Sequence, residues 1–474
     1  MGRMTELELE TRLSAIEVLA TLMECSDAKK VVMMEADKTL LTLLQVGSIN
    51  SEEASKNHNK DGVLGICVQA MIDGVDEDVS AWSEEKPAMQ DDAVWEEDDA
   101  AIFAESLLER ILHSIGGNSA FPVLLPMLEA LVASPDWKHQ RAALAVMEQC
   151  LSASITSFAV HIHVVVEAAI TLGQNAGTNS RVQWQCMQLL GVLCMAEQTT
   201  IVQKKYVQGI LSTITCLIRA DSCSKVVSHA CLALVSFCRG KILDSSEGID
   251  AILQPYVKDI LEALSSGPLA KDYSNPLSLS SYIPVLIRAL GAVACLAGTI
   301  KESFIPFYNN FMPALIACAG IGFDLKGALD TSFEDELSNL RGAALESATI
   351  VGESISGDNS KLKVVLFNDS FSIFSQLINP ITIGELFTPD AEKIMLLALP
   401  IISHANVGAY DCNGSICPIP FDQLLAACAR IASVMKDRFV PFLPSVIPLL
   451  LKRASQKANV SVSVSSFIFP LYWE

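Results

Sequence analysis

The sequence predicts an all-α fold, a solenoid of stacked helical hairpins running as one body through residues 1–455. Three observations predict it. The first is composition: of 474 residues 51% are hydrophobic and only 6% aromatic. An interior of Leu, Ala, Val and Ile favours helices packed on helices over sheet sandwiches. The second is a recurring stretch: "KHQRAALAVMEQC" from Lys138, "RVQWQCMQLLGVLC" from Arg181 and "KVVSHACLALVSFC" from Lys225, spaced 43 and then 44 residues apart. The third is what precedes each copy. A turn-rich loop comes first ("ASPD", "NAGTN", "ADSCS"), and before it another apolar helix ("FPVLLPMLEALV", "HIHVVVEAAITL", "YVQGILSTITCLI").

A helix pair repeating about every 40–47 residues is the HEAT or armadillo pattern. Two helices per unit and proline-marked first helices favour HEAT. One hairpin cannot bury its apolar face alone, so hairpins stack side by side.

Taken in chain order, residues 9–25, 30–47, 61–73 and 100–115 read as helices. The stretch 135–151 is an amphipathic second helix. Ser134 reads as its N-cap, Pro135 as its first residue and Asp136 as part of its first turn. Ala143, Leu144, Met147, Cys150 and Leu151 form its buried stripe. Lys138, Arg141, Glu148 and Ser152 fall on the opposite, polar side, and Trp137 is exposed beside the start. The copies at 181 and 225 follow, then "SYIPVLIRALGAVACLAG" after a long loop. "ESFIPFYNNFMPALIACAG" and "ELSNLRGAALESATIVGESI" form the next pair across the acidic linker "FDLKGALDTSFED". "KVVLFNDSFSIFSQLI", "TPDAEKIMLLALPIISHA" and "FDQLLAACARIASVMKDRFVPFLPSVIPLLLKRAS" complete eight or nine pairs. The start lacks a polar capping repeat, and "VSVSVSSFIFPLYWE" alternates with period two like a strand. These ends read as a fragment of a longer solenoid with a non-native or unstructured tail at 456–474. A tail folded over the last repeat is the alternative.

Several function classes recede. The net charge of −21 argues against nucleic acid, whose binding needs basic patches, and suits basic protein partners. No secretory leader is apparent, and no apolar run reaches the 18–20 uncharged residues of a membrane span. The 14 cysteines fall singly on apolar faces (Cys186, Cys194, Cys216, Cys231, Cys295, Cys318), with no CxxC pair. Cys412 and Cys417 form one loose CxxxxC. That usage fits a reduced, intracellular protein without a metal site. His161 and His163 form an isolated HxH on an apolar helix. No P-loop, GxSxG, HExxH or Rossmann glycine pattern occurs, so neither an enzyme nor a cofactor is expected.

Residues 73–99, "DGVDEDVSAWSEEKPAMQDDAVWEEDD", form an acidic insertion with a single base, Lys86. Such a run repels itself. Trp82 and Trp95 lie within it, among carboxylates that include Asp91, Asp92, Glu96, Glu97, Asp98 and Asp99. An indole can pack on basic side chains through cation–π contact, so the segment reads either as a solvated loop or as a strap for a Lys/Arg-rich ligand.

"DEDVSAWSEE…WEEDDAAIFAESLLERILHSIGGNSAFPVLLPMLEALVASPDWKHQRAAL" resembles the importin-β (karyopherin-β) transport receptors, in particular their importin-five branch. "FIPFYNNFMPALI", "NLRGAALESATIVGESI" and "ARIASVMKDRFVPFLPSVIPLLLKRAS" resemble later repeats of that branch in the same order. The resemblance spans roughly residues 12–455. It implies a nuclear import carrier shuttling between cytoplasm and nucleus, with basic cargo, the small GTPase Ran in its GTP form and FG-repeat nucleoporins as partners. Ran contact is expected to be incomplete, because the N-terminal repeats that hold it have no counterpart here. Cargo contact is implied on second helices, at Glu346, the nearby Glu353, Gln188, Ser236 and Trp137. Departures from the branch fall at Ser152, where a Glu is usual, and at Arg239-Gly240, where a paired acidic position is reversed in charge. Gln188 and Ser236 stand where the branch tends to have Asn. The rival reading is a HEAT scaffold, of phosphatase-subunit or assembly-factor type, since a fold does not fix a function.

Overall fold

A computed structural model describes residues 13–14, 17–18, 20–21, 63–75, 79–84, 87, 100–175, 177–195, 200–220, 223–239, 252–270, 279–322, 331–356, 384–404 and 419–454. The expected helices at 30–47 and 363–378, most of 9–25, and the tail lie outside these residues. All regular structure among the described residues is helical. The principal helices are α1 (Val63–Asp73), α2 (Val79–Glu84), α3 (Ala100–Ile115), α4 (Gly117–Val132), α5 (Trp137–Phe158), α6 (Ile162–Gln174), α7 (Ser180–Met195) and α8 (Thr200–Ala220). They continue with α9 (Ser224–Arg239), α10 (Val257–Ser266), α11 (Ile283–Ile300), α12 (Tyr308–Ala319), α13 (Thr331–Ile355), α14 (Gly384–His404), α15 (Phe421–Met435) and α16 (Leu443–Ala454).

Neighbouring helices sort into two layers. Second helices stack in the order α3, α5, α7, α9, α11, α13 and α15, and first helices α6, α8 and α10 stack beside them. The chain is therefore a HEAT-repeat solenoid. Its core is one continuous apolar seam, from Leu13 to Val446. Polar bridges tie neighbours within each layer. In the first-helix layer Tyr206 donates to Glu167 at 2.7 Å, Arg219 to Asp259 at 2.6 Å and Tyr308 to Asp390 at 2.8 Å.

Several expectations shift. Helix α5 starts two residues later than its sequence suggests: Asp136 is the N-cap and accepts from the Lys138 backbone N–H at 2.9 Å, with Pro135 outside. Part of the acidic linker, from Thr331, forms the first turn of α13. The expected polar side of α5 is largely enclosed. Arg141 is buried and donates to Glu105 of α3 at 2.9 Å, and Glu148 accepts from Gln185 of α7 at 2.7 Å. A helix inside a layer has flanking neighbours as well as a core, so a polar residue on its flank meets another helix. Among the cysteines, Cys216 is exposed and Cys295 half-buried, not core. Ile283–Ala319 is long and apolar enough to cross a membrane, contrary to the sequence reading. Two thirds of its most apolar window (67%) is buried in the protein, and α11 packs between α9 and α13.

The turns after α11 and α15 match. Each begins on a lysine with positive φ (Lys301 and Lys436, both 50°), passes through a 3-10 segment containing a proline, and buries a phenylalanine, Phe304 or Phe439. The α13 backbone is pressed close by its neighbours. At Gly352 an added Cβ would lie 2.5 Å from the Phe387 ring of α14.

Candidate functional site

The second-helix layer carries two polar constellations. The first lies on the N-terminal ends of α5, α7 and α9, where the repeat places Trp137 with Lys138, then Arg181, then Lys225. Asn179 accepts from the Arg181 backbone N–H at 2.8 Å and so fixes the start of α7. Helix α2, inside the acidic insertion, packs against α7 and α9. Its Trp82 ring lies 5.2 Å from the Arg181 guanidinium and 4.7 Å from the Lys225 ammonium. Arg181 also lies 5.8 Å from the Trp137 ring, as does Lys138. Indole and cation thus alternate: Trp137, Arg181, Trp82, Lys225.

An edge-to-face contact at 6.2 Å joins Trp82 to Trp184, whose Nε1–H donates to His229 Nδ1 at 2.8 Å. Burial and the nearby Arg288 charge hold His229 neutral, with its pKa lowered to about 3. Two further contacts fix the insertion: Lys138 Nζ donates to the Val75 carbonyl at 3.1 Å, and the Cys223 thiol lies 4.0 Å from the Ser83 carbonyl.

The second constellation is acidic and lies on α13 and α15. Arg430 of α15 reaches Glu346 at 3.3 Å and Glu353 at 3.9 Å. Those carboxylates are one helical heptad apart on α13. Helix α13 is itself anchored by Arg341, fully buried, which donates to the Ile321 carbonyl at 2.6 Å and to Glu334 at 2.8 Å.

The structure therefore brings Trp82 and Trp137 together around Arg181, and Glu346 and Glu353 together around Arg430. Gln188 and Ser236 sit half-buried on α7 and α9, apart from both groups. Ser236 Oγ lies 3.7 Å from where a Cβ on Gly191 would be, so the two helices approach closely there. Asp91, Asp92, Trp95, Glu96, Glu97, Asp98 and Asp99 lie outside the described residues. Sequence reasoning missed three participants, Arg181, Lys225 and Arg430. For the first two a signal was present: each opens a copy of the repeat.

Nothing in these groups resembles a catalytic centre. Among the described residues no three His, Cys, Asp or Glu side chains gather to hold a metal. Burial pushes the Cys67, Cys150, Cys194 and Cys231 thiols up to about 12, which suits inert core thiols.

No protein-family model matches the chain. The chain is 25% identical over 433 residues to importin subunit beta-3 of Saccharomyces cerevisiae, an alignment covering 90% of this chain and 33% of that protein. It therefore spans a third of that relative's length. Among solved structures it resembles Kap121p bound to RanGTP (TM-score 0.64, 20% identity, 95% of this chain and 39% of that one). It likewise resembles Kap121p bound to Pho4p (TM-score 0.61, 20% identity, 96% and 37%). The structural likeness carries the solenoid fold. Together with the sequence match, it makes the chain similar to a run of central repeats of a karyopherin-β.

Proposed function

We propose that the chain is the ligand-holding part of a nuclear import receptor of karyopherin-β type, and that its second-helix layer takes a basic localisation signal. The observation that carries this reading is Arg430. A guanidinium held between Glu346 and Glu353 is what a lysine or arginine of an extended peptide would look like in the same place. The resident cation marks the pair as a cation subsite, and an incoming basic side chain exchanges with it. Each exposed ion pair contributes only about 0–1 kcal/mol. Useful affinity therefore needs several contacts and weakens as salt rises. Gln188 and Ser236 are the groups positioned to hold a peptide backbone along the layer, and the acidic residues of 73–99 add long-range attraction.

Relatives support the wider role. Solved Kap121p structures include complexes with RanGTP, Pho4p and Nup53p. By this reading the whole protein shuttles between cytoplasm and nucleus, contacts FG-repeat nucleoporins, and yields its cargo to Ran-GTP. The test is a titration of the chain with a Lys-rich peptide at low and high salt. Salt-sensitive binding, weakened in the double variant Glu346→Gln/Glu353→Gln, is expected. No binding at any salt would favour a scaffold instead.

A further inference from the structure

We propose that the slot between Arg181 and Lys225 is a binding site for a tryptophan carried on an acidic segment, and that residues 79–84 are its in-chain ligand. The slot stands apart from the Glu346/Glu353 cation subsite: it lies at the N-terminal ends of α7 and α9 and takes ligands of opposite charge.

The argument starts from the repeat. Second helices α5, α7 and α9 begin with a cation at equivalent positions, so the stack sets Lys138, Arg181 and Lys225 in a row along one edge of the layer. Like charges in a row repel, and an aromatic ring between two of them offsets part of that repulsion. Trp137 fills that place on one side of Arg181. Between Arg181 and Lys225 no residue of α7 or α9 supplies a ring that lies over both cations. The ring comes from outside the repeats, as Trp82.

Its fit is specific in three respects. The electron-rich indole faces meet cations, each such contact worth more as it is desolvated. The ring edge meets Trp184, which is locked in turn by its hydrogen bond to a neutral His229. Finally, the segment bearing Trp82 is acidic, with Asp76, Glu77 and Asp78 before it in sequence and Glu84 and Glu85 after it. An indole flanked by carboxylates is the complement of an indole-shaped gap flanked by cations. Helix α2 has no fully buried residue, and its one apolar anchor is Trp82, partly buried against the core beside the two cations. The indole contacts and the Lys138 and Cys223 contacts to the insertion backbone are among those that hold it.

A ligand held this way is exchangeable. A short tether gives it a high effective concentration, so an external acidic tryptophan peptide competes poorly until the tethered indole is removed.

The test uses the full chain with Trp82→Ala and a labelled peptide of residues 76–87, DEDVSAWSEEKP, in an anisotropy titration at low salt. The Trp82→Ala chain is expected to bind this peptide saturably, at least about tenfold more tightly than the unaltered chain does. A peptide with its tryptophan replaced by alanine is expected to bind at least about tenfold more weakly. Arg181→Gln/Lys225→Gln in the Trp82→Ala background removes binding, and Arg181→Lys/Lys225→Arg restores much of it. Helical circular dichroism and the melting temperature check that each variant folds. If the glutamine variant does not fold, the comparison of the two peptides decides alone. Equal binding of the two peptides would overturn the proposal by reducing the site to charge attraction, and no binding to the Trp82→Ala chain would overturn it outright. A Lys-rich peptide titrated in parallel reports on the Glu346/Glu353 subsite, so failure of one reading is separable from failure of the other.

Discussion

Helices α5, α7 and α9 and helices α13 and α15 are built by the same repeat and stack in the same layer, yet they present opposite chemistry. The first region lines up Lys138, Arg181 and Lys225 with indoles between them. The second lines up Glu346 and Glu353 around one arginine. In both, the charged row is occupied by a group of the chain itself, Trp82 in one and Arg430 in the other. The comparison teaches that the apolar seam is what all copies of the repeat share, while the opening cation is shared only by α5, α7 and α9. The residues facing away from that seam are free to differ in sign, and they set what each stretch of the layer can hold.

The largest expected effect breaks one region and spares the other. Arg341→Ala removes the buried guanidinium that fixes the start of α13 against Ile321 and Glu334. Breaking a buried ion pair costs about 3–5 kcal/mol. Thermal melting should show the loss, and Lys-rich peptide binding should fail while the Trp82 contact, read by its fluorescence, persists. Next comes Gly352→Ala, whose methyl group would meet the Phe387 ring. Overpacking of this kind costs about 1–3 kcal/mol, to be read from the same melts.

Two variants sharpen the acidic side. Glu346→Gln/Glu353→Gln should weaken a Lys-rich peptide about tenfold, since two partly exposed pairs are lost. Arg430→Ala should do the reverse by a smaller factor, about two- to fivefold, because the carboxylates no longer have a resident cation to release. Isothermal titration of both variants would give the pair of values, and a fall in affinity for Arg430→Ala would contradict the exchange model.

A pH slope gives a further check, independent of any ligand. Burial first, and the Glu105 charge second, push the Glu148 carboxyl up to about 8. The unfolded chain releases that proton near the ordinary value of 4.5 and so binds fewer protons between those limits. Stability from this group is therefore full at low pH and is lost as pH rises through 8. His229 works oppositely and lower: it stays neutral down to about 3, so stability falls as pH drops below its ordinary 6.5. Between 6.5 and 8 only the Glu148 decline remains of the two. The melting temperature should fall across that interval, and Glu148→Gln should flatten the slope.

Much of the fold is legible in the sequence, and the reason is physical. The seam is made of local apolar periodicity, and the repeat copies it, so the α5, α7 and α9 helices can be aligned by eye. The polar partners are not local. Arg141 reads as solvent-facing because its partner, Glu105, lies 36 residues earlier on another helix. Arg181 reads as an ordinary first-turn cation because its indole comes from an insertion about a hundred residues upstream. The start of α5 is displaced because Ser134 and Asp136 are both good caps. Their choice is settled by the Lys138 N–H, which bonds Asp136, while Ser134 takes the Asp136 N–H. Glu346 could be named from the family resemblance and Glu353 from its closeness in sequence, but Arg430 between them could not.

The most direct test of the central claim, that the second-helix layer holds the ligand and that its two regions differ in sign, is a hydrogen-exchange footprint of the chain with a Lys-rich localisation peptide. The account predicts the strongest slowing in α13 and α15, a smaller slowing around Gln188 of α7 and Ser236 of α9, and no change at the N-terminal ends of α5, α7 and α9. Protection confined to the first helices α4, α6 and α8, or centred on the cationic ends of α7 and α9 around Arg181 and Lys225, would contradict it.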